Sequence, residues 1–139
     1  MPELLLLFPL LLICTRYDIQ EGRIPNKAIA AGLLAVACAA LLRGGALSLL
    51  RCLLRFFFPV VLLAPLTRHR LMGAGDVKMY ALLCAFFGMS GFFRIFVYSI
   101  FSAACEILTE WLIFRLRRRT LALMPHLLLA AVWYWCFNL

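Results

Sequence analysis

The sequence predicts an all-α membrane protein, a polytopic bundle of about six transmembrane helices. Three observations predict it. Of the 139 residues, 66% are hydrophobic and only 14% are charged, too few polar groups to cover the surface of a water-soluble domain of this size. Mean hydropathy is +1.02. The apolar residues also fall into runs that approach the roughly 20 residues a helix needs to cross a bilayer, separated by short stretches rich in Arg, Gly and Pro. Such runs use nearly the whole chain and leave no separate soluble domain, so residues 1–139 read as one transmembrane domain.

The first segment runs from Leu4 to Thr15. It lacks the basic start and small-residue cleavage site of a signal peptide, and it reads as a retained helix. A polar stretch from Arg16 to Lys27 follows. The second segment, Ala28 to Leu42, stops at Arg43-Gly44-Gly45. The third, Leu47 to Leu66, carries Arg51 and Arg55 one turn apart, placed to snorkel toward an interface or to form an amphipathic surface turn. Pro59 and Pro65 would kink or end it. A second polar stretch runs from Thr67 to Lys78. The fourth segment, Val77 to Met89, stops near Ser90-Gly91. The fifth is Phe92 to Phe114, closed by the basic block Arg115 to Arg119, and the sixth is Leu121 to Phe137.

The formal net charge is +8. Its basic clusters coincide with segment ends, which is the pattern of cytoplasmic loops in a membrane protein and not of a nucleic-acid surface; no nucleic-acid partner is expected. Alternating the segments puts ten of the fourteen Lys and Arg on the side that holds Arg16, Lys27, Arg68, Lys78 and the Arg115 block. That side is predicted to be cytoplasmic, with both termini outside. The six cysteines (14, 38, 52, 84, 105 and 136) lie singly in apolar runs. None forms a C-x-x-C pair, so no zinc site or redox pair is indicated, and each reads as a small apolar side chain. Neither metal nor cofactor is expected, and the sequence assigns no oligomeric state.

The chain has two aspartates, Asp18 and Asp76, one in each polar stretch beside an apolar segment. Charged groups next to lipid are costly and usually face a bundle interior or a hydrated cavity. Two carboxylates brought together favour holding one proton between them. Such a pair can activate water as a base and protonate a leaving group as an acid. On spacing alone, each aspartate could equally cap a helix or solvate a loop. Asp76 lies in Gly73-Ala74-Gly75-Asp76, where the glycines permit close approach of another backbone. After Asp18 comes Ile24-Pro25-Asn26, in which Pro25 biases Ile24 to be extended and Asn26 is placed to cap the second helix.

The stretches Asp18 to Asn26 (DIQEGRIPN) and Gly73 to Met79 (GAGDVKM) resemble the paired signatures of type IV prepilin peptidases, D-x5-I-P-N followed by G-x-G-D-x-K. Leu121 to His126, with its single proline, is a weaker third match to the entry of the family's last helix. The resemblance implies a single transmembrane peptidase domain of about six helices. Its activity would be endoproteolysis of prepilin-like membrane proteins at the cytoplasmic face of a prokaryotic cell membrane. Asp18 and Asp76 carry over as the catalytic pair, Gly73, Gly75 and Lys78 as shapers of the active-site loop, and Ile24, Pro25 and Asn26 as supports of the first motif. The cysteine-rich domain of larger members is not seen, so N-methyltransferase activity is not expected. The lipid bilayer and a prepilin-like substrate are the implied partners.

Glu106 and Glu110 share one helix face. Glu106 is the candidate cavity residue, with pairing to a polar neighbour as its other reading, and Glu110 belongs beside the Arg block. His126 reads as packed at the entry of the last helix. Two other classes fit part of the pattern. Presenilin-like or signal-peptide-peptidase-like proteases share G-x-G-D and a tyrosine before the first aspartate, here Tyr17, but lack I-P-N. A transporter or assembly factor could use two aspartates without hydrolysis, although a transporter would place them near the midplane, often within inverted repeats.

Overall fold

The computed structural model describes residues 3–21, 24–69, 72–114 and 123–137. The basic positions Arg23, Arg70 and Arg115 to Arg119, and the predicted start of the last segment at Leu121, lie outside those residues. The described chain is all-helical: α1 (Glu3–Glu21), α2 (Asn26–Arg68), α3 (Ala74–Thr109, continued by a π-helical turn, Glu110–Phe114) and α4 (Met124–Phe137).

Four helices therefore stand where the sequence reads as six segments. The reason is local. A run that ends at glycine looks like a helix terminus, yet a glycine can redirect the backbone within one or two residues and leave no loop. In α2 the non-helical residues are Gly44 and Gly45, the latter at φ 61, ψ −156; in α3 the only one is Gly88 at φ 76, ψ −177. The break in α3 thus falls ahead of the predicted Ser90-Gly91. Pro59 and Pro65 neither end α2 nor show non-helical dihedrals. At the other end of the polar stretch, α1 runs on through Asp18 to Glu21. Arg16 to Glu21 contains no Gly or Pro, so nothing stops the helix at Thr15.

Gly88 turns α3 back on itself. The Tyr80 hydroxyl is hydrogen-bonded to the Ser99 hydroxyl, 19 residues on, a separation of roughly 28 Å in a straight helix. Around that bond, Tyr80 packs edge-on against Phe92 and Phe96, with ring centroids 6.2 and 5.2 Å apart. The first half of α3 is the buried centre of the molecule: Val77 and Met79 to Ala85 are all buried. A helix apolar on every side belongs in a core. α3 packs against α2 and α4, and α1 against α4 and α2.

The exterior is as apolar as the interior. Leu42, Val61 and Phe101 are 88%, 72% and 68% exposed, and they belong to a far larger set of exposed leucines and aromatics than water tolerates. Asn26–Arg68 and Ala74–Leu112 are each long and apolar enough to cross a membrane. This is a membrane protein.

Gly88→Ala puts a Cβ into a backbone region open essentially to glycine alone, and should cost about 1–3 kcal/mol. Thermal unfolding in detergent micelles checks this; an unchanged midpoint would show that the reversal tolerates a side chain.

Candidate active site

The end of α1, the start of α2 and the start of α3 meet around a cavity of about 330 Å³, lined by Asp18, Ile24, Asn26, Gly73, Ala74, Gly75, Asp76 and Lys78. Both sequence motifs thus face one space. Of the predicted site residues, Pro25 and Glu106 are not in its wall. The cavity holds several waters by volume.

Asp18 sits in the last turn of α1, half-buried. One of its oxygens, Oδ2, accepts the backbone N–H of Met124 at 3.2 Å. The first N–H groups of any helix lack partners within it, and Met124 opens α4. Its neighbour Pro125 has no N–H to satisfy, and the Met124 donor of that first turn goes to Asp18.

Asp76 is the third residue of α3 after the cap residue Gly73. From there its carboxylate reaches back to the Gly73 backbone N–H, the acidic half of a capping box. A side chain at Gly73 would intrude, since a Cβ there would lie 3.0 Å from Asp76 Oδ2. The two carboxylates are close enough to act on one another electrostatically.

Two contacts join the motifs. Lys78 Nζ donates to Asn26 Oδ1 at 2.9 Å. This corrects the expectation that Asn26 caps α2. Pro25 occupies the cap position with extended dihedrals (φ −67, ψ 122), no side chain caps the helix, and the Pro25 carbonyl accepts the Ala28 N–H at 3.0 Å. The Asn26 amide is free for Lys78 because it stands one residue inside the helix. The second contact is steric. A Cβ on Gly75 would stand 3.0 to 3.2 Å from Cδ1, Cβ and Cγ1 of Ile24, so Gly75 is what lets the second motif press against the first.

Glu106 pairs with His126 instead, Oε2 to Nε2 at 2.6 Å, and the Ser102 hydroxyl lies 2.9 Å from His126 Nδ1. In the neutral ring, Nε2–H donates to the carboxylate and Nδ1 accepts from Ser102. His126 is buried, and so packs at the entry of α4 as the sequence implies. Met124 and Ser102 escaped sequence reasoning. A backbone donor carries no residue signature, and only the weak match around Pro125 pointed at that turn. Among the described residues, no three His, Cys, Asp or Glu side chains converge as a metal cage, and all six cysteines are free.

A model of the type IV leader peptidase family matches residues 5–108 of the chain. No curated protein and no solved structure matches it.

Gly75→Ala should lower the unfolding midpoint in detergent, by an overpacking cost of about 1–3 kcal/mol. Adding Ile24→Ala should recover part of the loss, because it removes Cγ1 and Cδ1 but leaves the Cβ. A double variant no more stable than Gly75→Ala would mean that Ile24 is not the neighbour that matters.

Proposed function

The chain belongs to the type IV leader peptidase family, a family of hydrolases, and we propose that it is an intramembrane aspartic endopeptidase with Asp18 and Asp76 as its catalytic pair. The observation that carries this is the shared cavity: the two aspartates of the chain, from separate helices, line a single space with room for several waters, together with both motifs.

The chemistry follows from two like charges in partly apolar surroundings. Such a pair favours the state with one proton. The ionised member takes a proton from a cavity water as that water attacks the scissile carbonyl; the protonated member gives its proton to the departing amide nitrogen. The pair then holds one proton again, with acid and base exchanged. Met124 N–H fixes one oxygen of Asp18 and leaves the other to the cavity. The Gly73 N–H fixes Asp76 in the same manner. Gly73 and Ala74 are exposed and offer an extended substrate segment a surface to lie along.

The substrate in this reading is a prepilin-like membrane protein, cut after its short basic leader and just ahead of its apolar helix. Both motifs face the cytoplasm, in a prokaryotic cell membrane. Six crossings of one domain over residues 1–139 complete the reading: α1, each half of the reversed α2 and α3, and α4.

Co-expression with a prepilin in membranes, followed by mass measurement of leader removal, tests it. Asp18→Asn and Asp76→Asn should each lower cleavage by about 10²-fold or more, with both variants still inserted. Cleavage by the unmodified chain should fall at low pH, where both carboxyls hold protons and no base remains. It should fall again at high pH, where neither can act as an acid. Cleavage that survives either substitution would remove the paired mechanism, and a pH response limited to one side would remove the shared roles.

A further inference from the structure

The cluster of Ser102, Glu106 and His126 stands outside the wall of the aspartate cavity, and the chemistry above makes no use of it. Ser102 and Glu106 are four apart on α3 and share a helix face, so both reach the same ring. Each nitrogen of that ring has a partner: Glu106 Oε2 lies 2.6 Å from Nε2, and the Ser102 hydroxyl 2.9 Å from Nδ1. A ring held at both nitrogens cannot flip or swing without breaking a contact.

A buried imidazole needs partners whatever it does, but a carboxylate is a costly one here. The Glu106 side chain is 41% exposed, on a helix whose other outward residues include Phe101, Ile107 and Leu108. A charge among such neighbours is disfavoured, and a neutral acceptor would satisfy the ring without it. What sets His126 apart is its place in the chain. It follows Met124 by two residues, within the same first turn of α4, and the Met124 N–H is the donor to Asp18 Oδ2 at 3.2 Å. That length is the outer end of the normal range for an N–H donor. A shift of the turn by a few tenths of an ångström would therefore release the carboxylate. α4 packs against both α3 and α1, and its first turn is tied to each: to α3 through the ring, to α1 through the amide.

We propose that Glu106 and His126 are positioning residues for Asp18. They hold the first turn of α4 where the Met124 N–H meets Oδ2, and Ser102 completes the clamp. One carboxylate oxygen is thereby fixed and the other is left to the cavity. This rests on the catalytic reading of Asp18 above and adds to it a group that never touches the substrate. The clamp acts on the orientation of a reacting carboxylate, so its loss falls on turnover and not on substrate binding.

The test takes two readouts on the full chain in detergent micelles: amide hydrogen exchange followed by NMR, and the kinetics of leader removal from a prepilin. Glu106→Ala should speed exchange of the Met124 amide about tenfold. Ala131, roughly two turns further along α4, should keep its rate and so show that the helix is still formed. The same variant should lower kcat about tenfold with KM unchanged. Glu106→Gln keeps an acceptor for the Nε2–H and should restore most of both. Leu108→Ala, exposed on the same helix, should change neither. Ser102→Ala removes the other contact of the ring and is read in the same way if Glu106→Ala does not insert. Unchanged Met124 exchange, equal acceleration at Met124 and Ala131, a loss carried by KM, or Glu106→Gln as impaired as Glu106→Ala would each overturn the proposal. Failure of the catalytic reading looks different: cleavage survives Asp18→Asn, while Met124 exchange still responds to Glu106→Ala.

Discussion

The reversal of α3 at Gly88 sets where both aspartates stand. Asp76 is carried directly by the first half of that helix, at its third residue. Asp18 is reached through the second half. Ser102 and Glu106, beyond the reversal, hold His126; His126 fixes the first turn of α4; and that turn presents the Met124 N–H to Asp18. One helix, folded against itself through Tyr80, Ser99, Phe92 and Phe96, therefore steers the two carboxylates from opposite sides. A backbone conformation reserved for glycine is stable there because the surrounding aromatic contacts determine it many times over.

Helix ends supply what the carboxylates need. Inside a helix every backbone donor is committed, but the first turn has N–H groups to spare. Asp76 uses the start of its own helix and Asp18 the start of another. Neither requires a side-chain donor, and Lys78 is left to brace the motifs by holding Asn26. Gly75 has the corresponding steric part, since any side chain there would push Ile24, and with it the start of α2, away from α3.

The residues of this cavity were legible in the sequence because they are chemically conspicuous. Two aspartates in an apolar chain, each with Gly or Pro nearby, stand out without any structure. What could not be read depends on contacts across the chain. Asn26 looks like a cap in sequence, and only the arrival of Lys78, 52 residues away, shows its amide to be otherwise engaged. The Met124 donor is backbone, and so invisible in a string of side chains. Composition found the apolar runs, yet it could not tell a glycine that ends a helix from one that turns it. Gly44–Gly45 and Gly88 do the latter, which is why six segments appear as four helices. The helical state of Arg16 to Glu21 was legible in principle, because no breaker occurs there; its polarity alone made it resemble a loop.

Charge is sorted to the two ends of the bundle, and the apolar exterior makes that sorting necessary. A carboxylate or guanidinium facing hydrocarbon at mid-depth costs several kcal/mol, whereas at a helix end it reaches water or an interface. The cavity with two carboxylates lies where α1 ends and α2 and α3 begin; Arg43, Arg51 and Arg55 lie where α2 kinks and α3 reverses. Between them the buried polar groups are neutral and paired, as Tyr80 is with Ser99. Water can therefore reach Asp18 and Asp76, where the proposed hydrolysis needs it, without crossing the apolar middle of the molecule. A helix substrate drawn from the bilayer would meet the carboxylates only at its end, where its own backbone is no longer fully hydrogen-bonded and a peptide bond can be presented in extended form. In the proposed reading, the position of the charges would limit cleavage to the junction between an apolar helix and its polar leader.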